Sequence, residues 1–520
     1  MRSGVSSSRS LWLQILTCLV LFWSATDIAQ ARTLNDRELL ARCYAHLTGL
    51  RLPAKDPLYL QLETKKPTQI CVDLLNSVRL KADGRLENDT PVSRAVLKQL
   101  NDFHRGWFDK RMLGATELSD ALQATIDVTD FAQPAYYISR ALFTDGMHYN
   151  AALRGSDNVM ALRDSSTATA SGSPTGFKRP SRTYSFGFDG SGQRGPERIN
   201  ESVIAWSSNP GNADALEFAP LRLVQVGELV GFDVDPGQAN VGALWTKATA
   251  QTGTVNDAGL VTPINPRANF GGGALGSQSM LLLNFGHSFD YDTNGTTKLP
   301  RRWMTAALKS FLCREGPYLR NADVEPTKRL DPAAPPFRQS NSCLRCHATM
   351  DQAAMTTRNL VIGETSTFIN TFNRISALIG RFNVSAGKEP GQEFWPFKPV
   401  GSFKYQAPEG KLYLRSATGA LIDRNVSNLN ELGIAMSETD DYYACAAKRY
   451  VERFTGVNVS LFDPADADNE AVYAAQSEKE REMRARILAL GNELRMTGSL
   501  KKLIQRIMES DEYRQSDFGK

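Results

Sequence analysis

Cys343-Leu344-Arg345-Cys346-His347, a C-x-x-C-H run, is the stretch on which the reading of this 520-residue chain turns. Two thiols about one helical turn apart can add to the two vinyl groups on one edge of a porphyrin, and this spacing is the covalent attachment signature of a c-type haem. His347 would then supply the fifth ligand to the iron, and the sixth position decides whether the iron passes electrons or binds a small molecule. The same residues could serve a redox dithiol, a partial zinc site or an ordinary disulfide. A dithiol should sit between a strand and a helix in a βαβ pattern, which Pro332 to Ser342 do not show. Zinc wants four ligands, and the chain has no second C-x-x-C and no H-x-x-x-H.

The N-terminus points to an oxidising compartment. Arg2 and Arg9 make a basic start, Leu11 to Trp23 is an apolar run, and Ala29-Gln30-Ala31 is a small-x-small cleavage site. The apolar run falls short of the roughly 20 residues that span a bilayer, so a signal peptide cleaved near Ala31 is the expectation. Cys18 lies inside that run and would be discarded with it. No later stretch approaches a spanning length, so no integral membrane segment is expected in the mature chain, and a periplasmic or secreted location is. The formal net charge of +4 becomes +3 on losing Arg2, Arg9 and Asp27 (4 − 2 + 1), too small a surplus to argue for nucleic acid or anionic membrane.

Beyond the motif cysteines and Cys18 stand Cys43, Cys71, Cys313 and Cys445, which allow three connectivities. Cys43 with Cys71, on successive helices, and Cys313 with Cys445, joining the segment before the motif to the C-terminal segment, is the favoured pairing. Four buried free thiols are the alternative.

At this length several modules are expected. The fold class reads as mainly α: a multi-domain helical protein with a loop-rich central segment containing short strands and a cytochrome c-like haem-attachment module. The boundaries are 1–31 for the signal peptide, 32–150 for an N-terminal helical domain, 151–300 for the Gly/Ser-rich centre, 301–410 for the haem-attachment region and 411–520 for a C-terminal helical domain. Leu39, Leu40, Cys43, His46 and Leu47 recur at helix spacing, and further helices follow Pro67, Pro91 and Pro134. The centre is rich in Gly, Ser and Thr, with short apolar stretches such as Leu229 to Phe232. Arg302 to Cys313 reads as a helix. Ser366 to Phe382 reads as an amphipathic helix through Phe368, Ile369, Phe372, Ile375 and Ile379. Helices are also expected over Val426–Met436, Thr439–Phe454, Glu470–Met496 and Ser499–Tyr513. The charge run Glu478 to Arg486 reads as a solvated helix face, and the acidic Asp463, Asp466 and Asp468 as a solvated turn.

Three stretches carry a resemblance: RWMTAALKSFLC (Arg302 to Cys313), CLRCHATMDQAAMTTRNL (Cys343 to Leu360), and Leu421 to Gly456 with Cys445 and Tyr450 to Phe454, followed by a closing helix at Leu500 to Arg514. Together they resemble exported planctomycete-type cytochrome-like proteins, in which a single C-x-x-C-H domain precedes a C-terminal helical domain. The likeness spans roughly residues 300 to 515, with weaker echoes at Arg42 to Leu52 and Val92 to Phe108. Gln352, Ala353 and Ala354 stand where the family has proline and glycine after Met-Asp, so the turn after the motif is expected to differ. The resemblance implies a periplasmic haem protein that transfers electrons, and it names the cofactor rather than a substrate.

Met350, three residues beyond His347 and on nearly the same helical face, would have to round the porphyrin edge to reach the distal side. Distal candidates from other positions are His287, Met304, Met355 and Met436. Asp290, Asp292 and Asn294 copy the first half of an EF-hand loop, but Arg301 holds its twelfth position, so any calcium there would need a different loop. His46, His104, His148 and His287 are scattered and read as structural. No G-x-S-x-G, phosphate-binding P-loop or H-E-x-x-H occurs, so any catalysis must rest on the haem. Electron transfer with a periplasmic redox partner protein is the leading expectation. The others are a haem-dependent oxidoreductase, peroxidase or small-ligand binder with an open sixth site, and a structural or interaction protein stapled by its haem.

Overall fold

The computed structural model describes residues 32–108, 132–163, 203–207, 216–220, 228–235, 269–277, 279–281, 294–328, 330, 338–357, 360–369, 372–381 and 408–517. These are mostly helical, with small two-stranded antiparallel sheets. The N-terminal helices are α1 (Asp36–Thr48), α2 (Pro67–Ser77), α3 (Pro91–Arg105) and α4 (Gln133–Phe143). Local sequence sets their ends. Asn35 and Glu38 form a capping box on α1, Gly49 closes it with φ 71°, and Pro67 and Pro91 sit in first turns where no amide donor is needed. Cys43 on α1 and Cys71 on α2 are disulfide-paired, with Cα atoms 6.2 Å apart.

Strands β1 (Asn158–Arg163), β2 (Val203–Ser207), β3 (Leu216–Pro220) and β4 (Leu229–Asp235) make two antiparallel pairs, β1 with β4 and β2 with β3. The expectation of short strands in the central segment is met by these. The long helix α5 (Asn294–Leu312) follows, burying Trp303, Met304, Ala307, Leu308 and Phe311, and then the short α6 (Asn321–Val324) and the motif helix α7 (Asn341–Ala354).

The amphipathic helix expected over Ser366 to Phe382 is corrected. Strands β5 (Leu360–Ile369) and β6 (Phe372–Arg381) pair antiparallel there, with Ile369 opposite Phe372 and two residues between. Its apolar residues are largely β-branched or aromatic, and a two-residue connection suits a hairpin, so strand propensity outweighs the helical spacing. A second hairpin, β7 (Gly410–Arg415) with β8 (Leu421–Val426), leads into the closing helices.

Those helices are α8 (Leu429–Ser437), α9 (Asp440–Thr455), α10 (Ala467–Ala475), α11 (Glu478–Thr497), α12 (Leu500–Met508) and α13 (Asp511–Arg514). The single helix expected over Glu470–Met496 is two, because Ser477 and Glu480 form a capping box that starts α11 afresh; Ser510 likewise caps α13 and divides the Ser499–Tyr513 segment. Gly491 lets α11 approach α9: a Cβ there would lie 2.7 Å from the Ala444 Cα. Cys313, just past α5, is disulfide-paired with Cys445 on α9, Cα to Cα 5.1 Å. One hydrophobic cluster runs from Leu39 on α1 through Trp303 and Phe311 on α5 to Tyr450 on α9 and Ile504 on α12. The segment before α1 meets the segment of α13 where Leu34 N–H donates to the Arg514 carbonyl at 2.9 Å. Among the described residues no helix is long and apolar enough to cross a membrane.

Candidate functional site: the C-x-x-C-H helix

Helix α7 carries the whole motif. Its positions 343, 346, 347 and 350 share one face by the three- and four-residue spacing of a helix. Cys343, Cys346, His347 and Met350 are all half-buried, while Leu344, Arg345, Ala348, Thr349 and Asp351 around the rest of the helix are buried. The helix is thus embedded on its other sides and turns two thiols and an imidazole toward a partly accessible surface. Both thiols are unpaired, whereas the other four described cysteines are in disulfides.

Each buried side of α7 has its own anchor. Leu344 and Ala348 pack with Leu319 and Val324 in a small cluster bordered by Tyr413. Arg345, between the two thiols in sequence, is 5% exposed; its Nε donates to the Leu319 carbonyl at 2.7 Å, its Nη2 to Asp466 at 2.6 Å, and its Nη1 to Asp468. Asp463 is held in the same way by Arg320, at 2.7 and 2.9 Å. The solvated turn expected at Asp463, Asp466 and Asp468 is therefore corrected: Asp463 and Asp466 are buried ion-pair partners, and Asp468 alone keeps most of its surface. The charge run Glu478 to Arg486 is corrected in one residue, since Arg484 is buried and donates to the carbonyls of Ser460, Ala417 and Phe462.

The motif histidine is held from below. Asp351, one turn along α7 and fully buried, receives His347 Nδ1 at 3.2 Å. Arg301 of α5 grips the same carboxylate, Nε to Oδ1 at 2.5 Å and Nη2 to Oδ2 at 3.1 Å. Burial draws the Arg301 guanidinium below its ordinary range, and Asp351 opposes that. On the thiol side, Gly316 lies so near Cys346 that a Cβ would sit 2.7 Å from its Sγ, and Tyr318 N–H donates to the Arg345 carbonyl at 3.1 Å. Burial pushes the Cys346 thiol up, with Arg345 partly offsetting it. A reactive dithiol needs the opposite, a thiol pulled down toward neutral pH.

The remaining candidates disperse. Met350 Sδ accepts from Thr305 Oγ1 at 2.8 Å. Met304 and Met436 are wholly buried in the main core, and Met355 stands in the turn that continues α7 beyond Ala354. His287, Asp290 and Asp292 lie outside the described residues, as do residues 1–31; Asn294 begins α5. Among the described residues no group of three or more His, Cys, Asp and Glu side chains is arranged to hold a metal ion. His104 is buried between Ser139 and Tyr450, at 2.7 and 2.6 Å, and His46 meets Tyr513 at 3.1 Å. The motif is plain in the sequence, whereas the roles of Arg301, Asp351, Gly316 and the Arg345 anchor emerge only in the fold. Only the four-residue spacing of His347 and Asp351 signalled one of them in advance. No family model, no curated protein and no solved structure matches the chain.

Proposed function

We propose that the chain is an exported mono-haem c-type cytochrome-like protein that transfers electrons, as its resemblance to planctomycete-type cytochrome-like proteins implies. Cys343 and Cys346 would hold the haem through thioethers and His347 would ligate its iron. The observation that carries this reading is the unpaired, half-exposed pair of thiols beside an imidazole on one face of α7, in a chain whose other described cysteines are paired. The residues fit the group. Gly316 leaves the Cys346 sulfur uncrowded where a larger residue would press on it, and Asp351 accepts from the Nδ1 side of His347, the tautomer whose lone pair lies on Nε2. Bound there, a haem supplies a one-electron iron couple. The chain's own contribution is to seat the attachment helix through Arg345 and to orient the imidazole through Asp351. The basic-apolar N-terminus and the two disulfides support export to a periplasmic or secreted location, with a redox partner protein there.

The test is expression in a bacterium that matures c-type cytochromes, with reduced and oxidised spectra of the wild type and of Cys343→Ser/Cys346→Ser. Haem absorbance that survives denaturation in the wild type and is lost in the variant is expected. Wild-type protein without covalent haem would overturn the attachment. Bands unmoved by carbon monoxide are expected of an electron carrier; bands that shift would replace that role by a ligand-binding or oxidoreductase one.

A further inference from the structure

His347 and Arg301 meet at one carboxylate, Asp351, which is 0% exposed and placed one turn beyond the histidine on the same helix. A neutral imidazole donating to a backbone carbonyl gains little electron density, whereas one donating to a carboxylate gains more and becomes a more basic ligand. More basic axial donation favours Fe(III) over Fe(II). Arg301 works against this, because its bidentate contact, at 2.5 and 3.1 Å, spends part of the carboxylate's charge. We propose that Asp351 is a positioning residue that fixes the His347 tautomer and lowers the reduction potential of the haem, with Arg301 setting how far. The inference rests on the haem-attachment reading above.

The two residues predict shifts of opposite sign. Asp351→Asn keeps a hydrogen-bond acceptor but removes the charge, so the ferrous form gains about tenfold, an upward shift of about 59 mV for one electron. Arg301→Gln keeps a donor to Asp351 but removes the countercharge, so the potential falls. A merely structural role would move both variants the same way or neither. The experiment is a redox titration of the haem-loaded wild type and both variants, followed by visible absorbance. Opposite shifts, upward for Asp351→Asn and downward for Arg301→Gln, are the expected result. Shifts of the same sign, or none, overturn the inference. Should Asp351→Asn fail to fold, Arg301→Gln decides alone: a fall supports the inference and a rise or no change overturns it. Failure of the underlying reading is visible separately, as wild-type protein carrying no covalent haem.

Discussion

His104 shows what a buried polar residue costs and what it specifies. It is enclosed among Phe103, Trp107 and Tyr450, and both ring nitrogens are used, one toward Ser139 and one toward Tyr450. Burial drops its pKa from 6.5 to about 3. The unfolded chain therefore takes up a proton at a pH where the folded protein does not. The stability His104 contributes is complete above about pH 6.5 and is lost as pH falls toward 3. Between pH 6.5 and 5 this one residue should cost about 2 kcal/mol. His46, lowered to about 4 by burial, acts in the same direction, and Asp441, raised to about 6 by burial, acts in the opposite one. Urea unfolding at several pH values should accordingly give a flatter acid limb for His104→Gln than for the wild type; equal slopes would show that His104 is not the group responsible. The sequence marks this histidine as structural, and it is so, but its partners come from α4 and α9, 35 and 346 positions away, which no local pattern reveals.

At the scale of elements, α7 is legible as the bearer of the motif, and its fastening is not. Arg345 reads as a filler residue between two cysteines, yet it is the bolt that joins α7 to the segment before α10. Replacing it by Met leaves the buried Asp466 carboxylate without its countercharge, which should cost about 3 kcal/mol or more of stability. The exposed Asp468 contact should add little to that. A urea midpoint for Arg345→Met close to the wild type would contradict this role. Asn35, Thr90, Ser477 and Ser499 each accept from an amide three residues on, and such caps are local; the start at Ser499 was legible, whereas Ser477 was read through, inside the helix expected over Glu470–Met496. The β5–β6 hairpin was not legible, because apolar residues at helix spacing were given more weight than their β-branching. The acidic residues near α10 misled for a related reason, since a carboxylate in sequence does not show whether an arginine from another element will bury it.

Across the whole molecule, the cysteines were the most legible feature. Of the three connectivities open in the sequence, the favoured one paired Cys43 with Cys71 and Cys313 with Cys445, and the fold brings each of those pairs to bonding distance. The second bridge closes 132 residues and ties the end of α5 to α9, so Cys313→Ser/Cys445→Ser should lose about 5 kcal/mol on the chain-entropy account. A thermal unfolding midpoint unchanged from the wild type would count against that. The motif residues were legible because C-x-x-C-H is a local spacing, the one that thioether attachment of a haem would require. The contacts beneath His347 were not, because Arg301 and Asp351 meet only once α5 lies against α7. Whether Cys343 and Cys346 carry one covalent haem is decided by the intact mass of the mature protein from its native host. The polypeptide mass plus one haem, with a Soret band, is the expected result; the mass of the bare polypeptide, without Soret absorbance, would overturn the proposed attachment.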